Sequence, residues 1–594
     1  MTNTTSPPAW DAVAIANQLQ TIAGQSQSLM QRFLSRQPAA GKIGMGDAST
    51  VGSAFLELMT KMMSDPVAVA NAQIGLFNEG MTVWRHAAER IFLMQESLVE
   101  PARDKRFKHP DWTENAMFSF IRESYLVAAK SLLSSVRDVK GLDPATARKV
   151  DFYTRQFVDG MSPSNFIATN PEVLTTTLQT GGQNLLRGLE NLLADLDSGE
   201  GRPSITMTDM KSFRLGENIA TTSGKVIYQN ELMQLIQYAA STPDVRRRPL
   251  LIVPPWINKF YVLDLQPKNS FIKWCVDQGH TVFVISWVNP DERLAQKSFE
   301  NYMLEGPLAA LDAIDAATGE RSVNAVGYCL GGTLLASTLA YLAAHGDDRI
   351  ASATYFVTLV DFTEVGDMAV FIDEEQIYSL EKRMQQRGYL EAHDMATSFN
   401  MLRANDLIWS FVVNNYLLGK EQVPFDLLFW NSDSTRMPAA MHSFYLRNMY
   451  QRNLLAKPGG ITLAGTPIDL SRIEAPTFLL SSREDHIAPW KSTYAATRLY
   501  AGSVKFVLAA SGHMAGVISA PGSKYGHWTN DELPATPDAW LDGARSHQGS
   551  WWPLWDEWVT PFDLGRVLPR SPGDNKLAVI EDAPGTYVRV RSDD

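Results

Sequence analysis

The stretch Val326-Gly327-Tyr328-Cys329-Leu330-Gly331-Gly332 decides the fold. Ahead of it, Ser322-Val323-Asn324-Ala325-Val326 is short and mostly apolar, as a buried strand is. Behind it, the run from Thr333 to Ala344 is rich in alanine and leucine and predicts a helix. A strand and a helix joined by Gly-x-nucleophile-x-Gly form a nucleophile elbow, here with cysteine where serine usually sits. Gly327 and Gly331 leave room for a strained turn in which a β-carbon would clash with the strand and helix packed around it. The turn places Cys329 at a helix N-terminus, whose partial positive charge stabilises an anion. Because the residue after the nucleophile donates its N–H to the oxyanion, Leu330 is one candidate donor. The alternative for Cys329 is the common fate of free cysteines, a small apolar core residue.

A nucleophilic thiol needs a base within hydrogen-bond reach and a third group to orient that base. Ser482-Arg483-Glu484-Asp485-His486 follows directly on a strand-like run ending at Ser481. Ala510-Ser511-Gly512-His513-Met514-Ala515-Gly516 follows the next such run. Nucleophile, acid, histidine is the chain order of α/β-hydrolase triads. The assignment is therefore Cys329 as nucleophile, His513 as base and Asp485 as the orienting carboxylate. Glu484 and His486 compete for the last two roles; the Ser-Gly flank and the place after the last clear strand favour His513. Val253-Pro254-Pro255-Trp256-Ile257-Asn258-Lys259 follows an early strand, where hydrolases place the loop that gives the second oxyanion N–H. Ile257 is the candidate donor there, with a rigid Pro-Pro turn of no catalytic part as the alternative.

At 594 residues the chain is too long for one ordinary core. From about Trp10 to Leu196 apolar residues recur at three and four. Helices are expected over Val51–Met63, Asn71–Leu98, Glu114–Val136, Asp143–Asp159 and from Pro171 to about Leu196. Asp197 to Ser204 is a linker by composition, so a helical domain over residues 1–200 and a catalytic domain over 201–594 are expected. In the second part, short apolar runs at 249–253, 281–286, 323–326, 354–360, 476–481 and 504–508 predict parallel strands buried on both faces, hence an α/β fold. That rhythm stops over about 362–472, a helical, aromatic-rich insertion expected to form a cap over the site.

The formal net charge of −12 leaves no broad basic stripe to meet phosphates, which argues against nucleic-acid binding. Only two cysteines occur, Cys275 and Cys329, as suits a reducing cytoplasm rather than a disulfide framework. Neither a signal peptide nor a run of about 18 apolar residues is apparent, so a cytoplasmic protein without a membrane span is expected.

Taken together, these segments resemble the polyhydroxyalkanoate synthases, particularly the class I, single-subunit type. The resemblance spans most of the chain. It is carried by Asp104-Lys105-Arg106-Phe107, Ser164 to Glu172, Pro254 to Tyr261 with Leu263 to Pro267, Gly327 to Gly332, Pro424 to Asn431, Arg483 to Trp490 and Ser511-Gly512-His513. It implies an acyltransferase that polymerises (R)-3-hydroxyacyl-CoA, releases CoA and forms a polyester granule, with Cys329 carrying the chain as a thioester. No cofactor or metal is implied, CoA being part of the substrate and a product. The resemblance further implies a homodimer, granule contacts through the N-terminal domain, and a role for Asp485 in activating the substrate 3-hydroxyl that competes with orienting His513. Asp264, Asp361 and Trp430 lie in resembling stretches and are expected to be structural or interface residues. Leu330 stands where relatives often carry Val or Ile, and the Gly-Tyr-Cys-Leu-Gly-Gly box resembles members that use 3-hydroxybutyryl units. On the residues alone, a thioesterase or Cys-type hydrolase with the same triad, or a non-catalytic scaffold, also remains open.

Overall fold

Six short runs that are apolar on both faces are stable only inside a sheet covered on both sides. The structure, a computed structural model that describes residues 48–64, 74–85, 104–198, 205–574 and 576–592, places them there. In chain order the strands of the large sheet are β1 (Gly224–Gln229), β2 (Met233–Tyr238), β3 (Leu250–Val253), β4 (Val282–Trp287), β5 (Val323–Tyr328) and β6 (Ile350–Phe356). They continue with β7 (Thr477–Ser482), β8 (Val504–Ala509), β9 (His527–Thr529), β10 (Arg545–His547) and β11 (Glu581–Asp582). Across the sheet the order is β10-β9-β8-β7-β6-β5-β3-β4-β2-β1-β11. The six predicted strands are the parallel centre, β8-β7-β6-β5-β3-β4. β5 sits between β3 and β6, with Val253 opposite Gly327 and Phe356 opposite Tyr328. The segments after β5, β7 and β8, which hold Cys329, Asp485 and His513, therefore leave the sheet at one edge.

The antiparallel margins were not legible as strands. β1 and β2 carry Lys225, Gln229, Gln234 and Gln237 among their apolar residues, and β9 to β11 are two or three residues long.

The chain divides into two compact units, Met1–Asp209 with Phe399–Val423, and Met210–Ser398 with Pro424–Asp594. The described part of the first unit is helical, with helices Ala48–Ser64, 74–85, Ala116–Arg137, Pro144–Gly160, Pro171–Gln179 and Gln183–Ser198. Local chemistry explains their starts: Asp143 accepts from the Ala145 and Thr146 N–H groups, and Asn170 from those of Glu172 and Val173, each just ahead of a proline at the first helical position. The single helix expected from Pro171 to Leu196 is two helices, because Gly181 and Gly182 take φ of +58° and +81° and end the first. Residues Phe399–Val423, expected in the cap, pack within the first unit instead. A β-carbon on Gly188 would stand 1.8 Å from the Tyr416 carbonyl oxygen, the Tyr416 hydroxyl bonds Asp195 at 2.6 Å, and the Asn184 amide donates to the Leu417 carbonyl at 2.7 Å. The chain before Ala48, the ends of the expected Asn71–Leu98 helix and linker residues 199–204 lie outside the described residues. Among the described residues, no helix is long and apolar enough to cross a membrane.

Candidate active site

Cys329 follows β5 directly and opens the helix Leu330–Ala344 with φ +52° and ψ −120°. Such a backbone costs a non-glycine residue of order 1–3 kcal/mol and persists only where its surroundings hold it. Here the Cys329 N–H donates to the Phe356 carbonyl at 2.9 Å, and its own carbonyl accepts from the Gly332 N–H at 2.9 Å. The glycines behave as the sequence predicts. A β-carbon on Gly327 would come within 2.5 Å of Gly332 Cα, and one on Gly331 within 2.1 Å of the Val253 carbonyl oxygen. Gly332 is equally constrained, its β-carbon direction meeting Thr358 Oγ1 at 2.0 Å.

Asp485 and His513 are both buried, and His513 Nδ1 lies 2.7 Å from Asp485 Oδ2. The other carboxylate oxygen accepts from the Ile487 and Ala488 N–H groups at 2.8 and 2.9 Å, so the acid cannot swing away from the ring. Glu484 is exposed, and it is Asp485 that meets the histidine. Ser511 at φ +76° turns the chain just ahead of His513, whose ring lies over Tyr328 with centroids 5.8 Å apart. With Nδ1 engaged, Nε2 is the ring nitrogen left free of Asp485, and Cys329 is near enough to act on the charge of the ring. Burial disfavours the imidazolium, but the Asp485 carboxylate and then Cys329 outweigh it and push His513 up to about 10. The structure thus brings the three predicted residues together.

Tyr445 and Tyr450, from the expected cap, lie near enough to Cys329 to feel its charge. Both phenols are pushed up by burial, with Cys329 contributing, and the two rings meet edge-on with centroids 5.4 Å apart. Phe362 packs edge-on to both rings, and Trp256 edge-on to Tyr445. In the sequence both tyrosines are only two of the many aromatic residues of the insertion. Residues five apart share a face only if the helix widens, and Leu446–Gln451 is a π-helical turn.

Asp264 is a buried structural carboxylate that accepts from the Thr222 and Ser270 hydroxyls at 2.6 Å each. Asp361 accepts from Thr363 and from the Asn453 amide, and Trp430 Nε1 donates to the Lys259 carbonyl at 2.7 Å. Among the described residues no group of three or more His, Cys, Asp or Glu is gathered to ligate a metal ion.

Residues 103–275 match the family model described as poly-beta-hydroxybutyrate polymerase (PhaC) N-terminus, and residues 248–518 that of the alpha/beta hydrolase fold. The chain is 51% identical over 535 residues to the poly(3-hydroxyalkanoate) polymerase subunit PhaC of Rhizobium meliloti, covering 89% of this chain and 87% of that one. The chain belongs to the poly(3-hydroxyalkanoate) polymerases. It is 47% identical, over all of both chains, to the poly(3-hydroxyalkanoate) polymerase of Methylorubrum extorquens. With the PhaC subunit of Cupriavidus necator the identity is 40% over 93% of each chain. As a poly(3-hydroxyalkanoate) polymerase it is an acyltransferase on the α/β-hydrolase fold. The remaining two predicted site residues lie next to the elbow of this polymerase. Leu330 is the first residue of the elbow helix, and Ile257 is in the buried loop after β3, against whose Val253 and Pro254 carbonyls Gly331 is packed.

Proposed function

We propose that this polymerase joins (R)-3-hydroxyacyl-CoA units, short ones such as (R)-3-hydroxybutyryl-CoA foremost, through a thioester on Cys329. The observation that carries this is the buried Asp485–His513 pair beside Cys329, which stands on its strained turn at the same sheet edge. His513 takes the thiol proton, the thiolate adds to the thioester carbonyl, and CoA leaves as the thiol with the proton from His513. One thioester is exchanged for another of similar energy, so the acyl group stays activated. The 3-hydroxyl of another unit then attacks; its C–O bond forms, the C–S bond breaks, and His513 takes the hydroxyl proton and returns it to sulfur. Water must be kept out for an ester rather than an acid to result, and the packed rings of Phe362, Tyr445, Tyr450 and Trp256 support that. The preference for short units rests on the Gly327-Tyr328-Cys329-Leu330-Gly331-Gly332 box.

Incubation with (R)-3-hydroxybutyryl-CoA tests the proposal. Free CoA with polyester is expected. Free CoA with only 3-hydroxybutyric acid makes the chain a thioesterase on the same scaffold, and no CoA release removes short acyl-CoA from consideration. Asp485→Asn separates the two roles of that residue. If Asp485 orients His513, acylation of Cys329 itself slows; if it activates the 3-hydroxyl, acylation survives and elongation fails.

The same reading places the protein at cytoplasmic polyester granules as a homodimer. Exposed Ile74 and Phe77 on helix 74–85 support an apolar contact by the first unit, which substitution of both by serine and a granule-binding assay test. Sedimentation tests the dimer.

A further inference from the structure

Three carbonyls of the loop after β3 are held by side-chain donors. Trp287 Nε1 donates to the Pro254 oxygen at 2.8 Å, Thr435 Oγ1 to the Trp256 oxygen at 2.8 Å, and Trp430 Nε1 to the Lys259 oxygen at 2.7 Å, all buried. Between them Asn258 bridges Ser434 as an isolated antiparallel pair. The Lys259 ammonium meets Asp433 Oδ1 at 2.6 Å, and the Tyr261 hydroxyl donates to Asp433 Oδ2 at 2.9 Å. Buried ion pairs add little net stability but fix register. Residues 430–435 thus hold residues 256–259 in one register.

Within this grip Thr435 has a particular place, on the carbonyl side of the Trp256–Ile257 peptide. That peptide is trans, and in a planar trans peptide the carbonyl and the N–H point opposite ways. With the Trp256 oxygen held at Thr435, the Ile257 N–H is turned away from Thr435. Among the described residues no loop carbonyl accepts from it. The loop meanwhile lies against the nucleophile turn, since a β-carbon on Gly331 would touch the Val253 and Pro254 oxygens at 2.1 and 2.6 Å.

We propose that Thr435 is a positioning residue. By holding the Trp256 carbonyl it aims the Ile257 N–H at the oxyanion formed when Cys329 attacks, so that Ile257 and Leu330 donate together. The proposal rests on the thioester mechanism above. As the C–S bond forms, the carbonyl π electrons move onto oxygen, and a donor counts only if it is already in place. A peptide free to rotate loses that advantage while ground-state binding of substrate is little changed.

Thr435→Val keeps the shape and removes the hydroxyl; Thr435→Ser restores it. For Thr435→Val we expect kcat for CoA release to fall about 10- to 100-fold with KM within about twofold, and Thr435→Ser to recover most of the loss. The rate of Cys329 alkylation by iodoacetamide, which forms no oxyanion, should stay at the wild-type value. A second readout needs no turnover. A trifluoromethyl ketone analogue of the acyl group adds to Cys329 and places its oxygen where the oxyanion forms, and Thr435→Val should bind it about 10- to 100-fold more weakly. Wild-type kcat and wild-type ketone affinity in Thr435→Val overturn the proposal, as does a Thr435→Ser variant no better than Val. A parallel fall in alkylation rate also overturns it, since the defect would then lie in the thiol. Should the valine variant not fold, Thr435→Ala takes its place with the same outcomes. A wild-type protein that binds the ketone but releases no CoA rejects the proposed polymerisation and leaves the role of Thr435 to be read from the ketone.

Discussion

Among the described residues of the second unit, two buried histidines are each paired with a carboxylate and each stand in the neighbourhood of one of the two cysteines, and their pKa values move in opposite directions. His513 with Asp485 is pushed up to about 10, whereas His280, whose Nε2 lies 3.0 Å from Asp556, is pulled down to about 4. Burial works against the imidazolium in both. The difference lies in the third partner. Asp485 spends its second oxygen on two backbone N–H groups and, among the described residues, forms no ion pair with a lysine or arginine, so its charge acts on His513, and Cys329 adds to it. Asp556 is held through both oxygens by Arg246 at 2.8 Å, and the same guanidinium bonds Asp563 at 2.7 Å and opposes a charge on His280. Whether an imidazole beside a carboxylate is favoured charged or neutral thus depends on what else the carboxylate holds. The cysteines follow suit: burial, then Asp556, pushes the Cys275 thiol well above its ordinary range.

The largest expected effect breaks one side only. Cys329→Ala should lower CoA release by about 10⁴-fold or more with the circular dichroism spectrum intact; appreciable turnover would mean another nucleophile. Next, Arg246→Met strands the buried Asp563 and the half-buried Asp556 and should cost about 3–5 kcal/mol in denaturant unfolding, without changing the activity per folded molecule. It should also let His280 titrate upward by NMR. A His280 still near 4 would mean that burial alone sets it.

A smaller effect is in pH. The raised His513 contributes stability that is fully present below its ordinary value of 6.5 and declines as pH rises through about 10. The melting temperature of the wild type relative to His513→Gln should therefore fall between those limits, and a flat difference would contradict the pairing. The smallest effect is Cys275→Ser, with CoA release unchanged and about 1–3 kcal/mol of stability lost to a hydroxyl in an apolar site. An inactive variant would bring a two-thiol mechanism back.

What was legible in the sequence is what local pattern fixes. The six central strands are apolar throughout, and a Gly-x-Cys-x-Gly turn between a strand and a helix has few other uses. The three site residues follow strand ends, so chain order was enough to pair them. The rest depends on contacts that spacing does not encode. Tyr445 and Tyr450 share a face through a π-helical turn that no apolar period announces. Thr435 matters through a carbonyl far from it in sequence, and a lone threonine carries no signal of that. The break at Gly181-Gly182 lies between two stretches of the same apolar spacing, so spacing alone reads through it as one helix.

The placement of Phe399–Val423 bears on how the molecule is made and cut. The first unit is not finished when the ribosome passes Asp209; it waits for a piece encoded almost two hundred codons later, after most of the central strands have emerged. An N-terminal fragment ending near residue 209 would keep Gly188 with no Tyr416 carbonyl to face and Asp195 without the Tyr416 hydroxyl. Cutting the chain at its apparent linker would divide one fold rather than separate two.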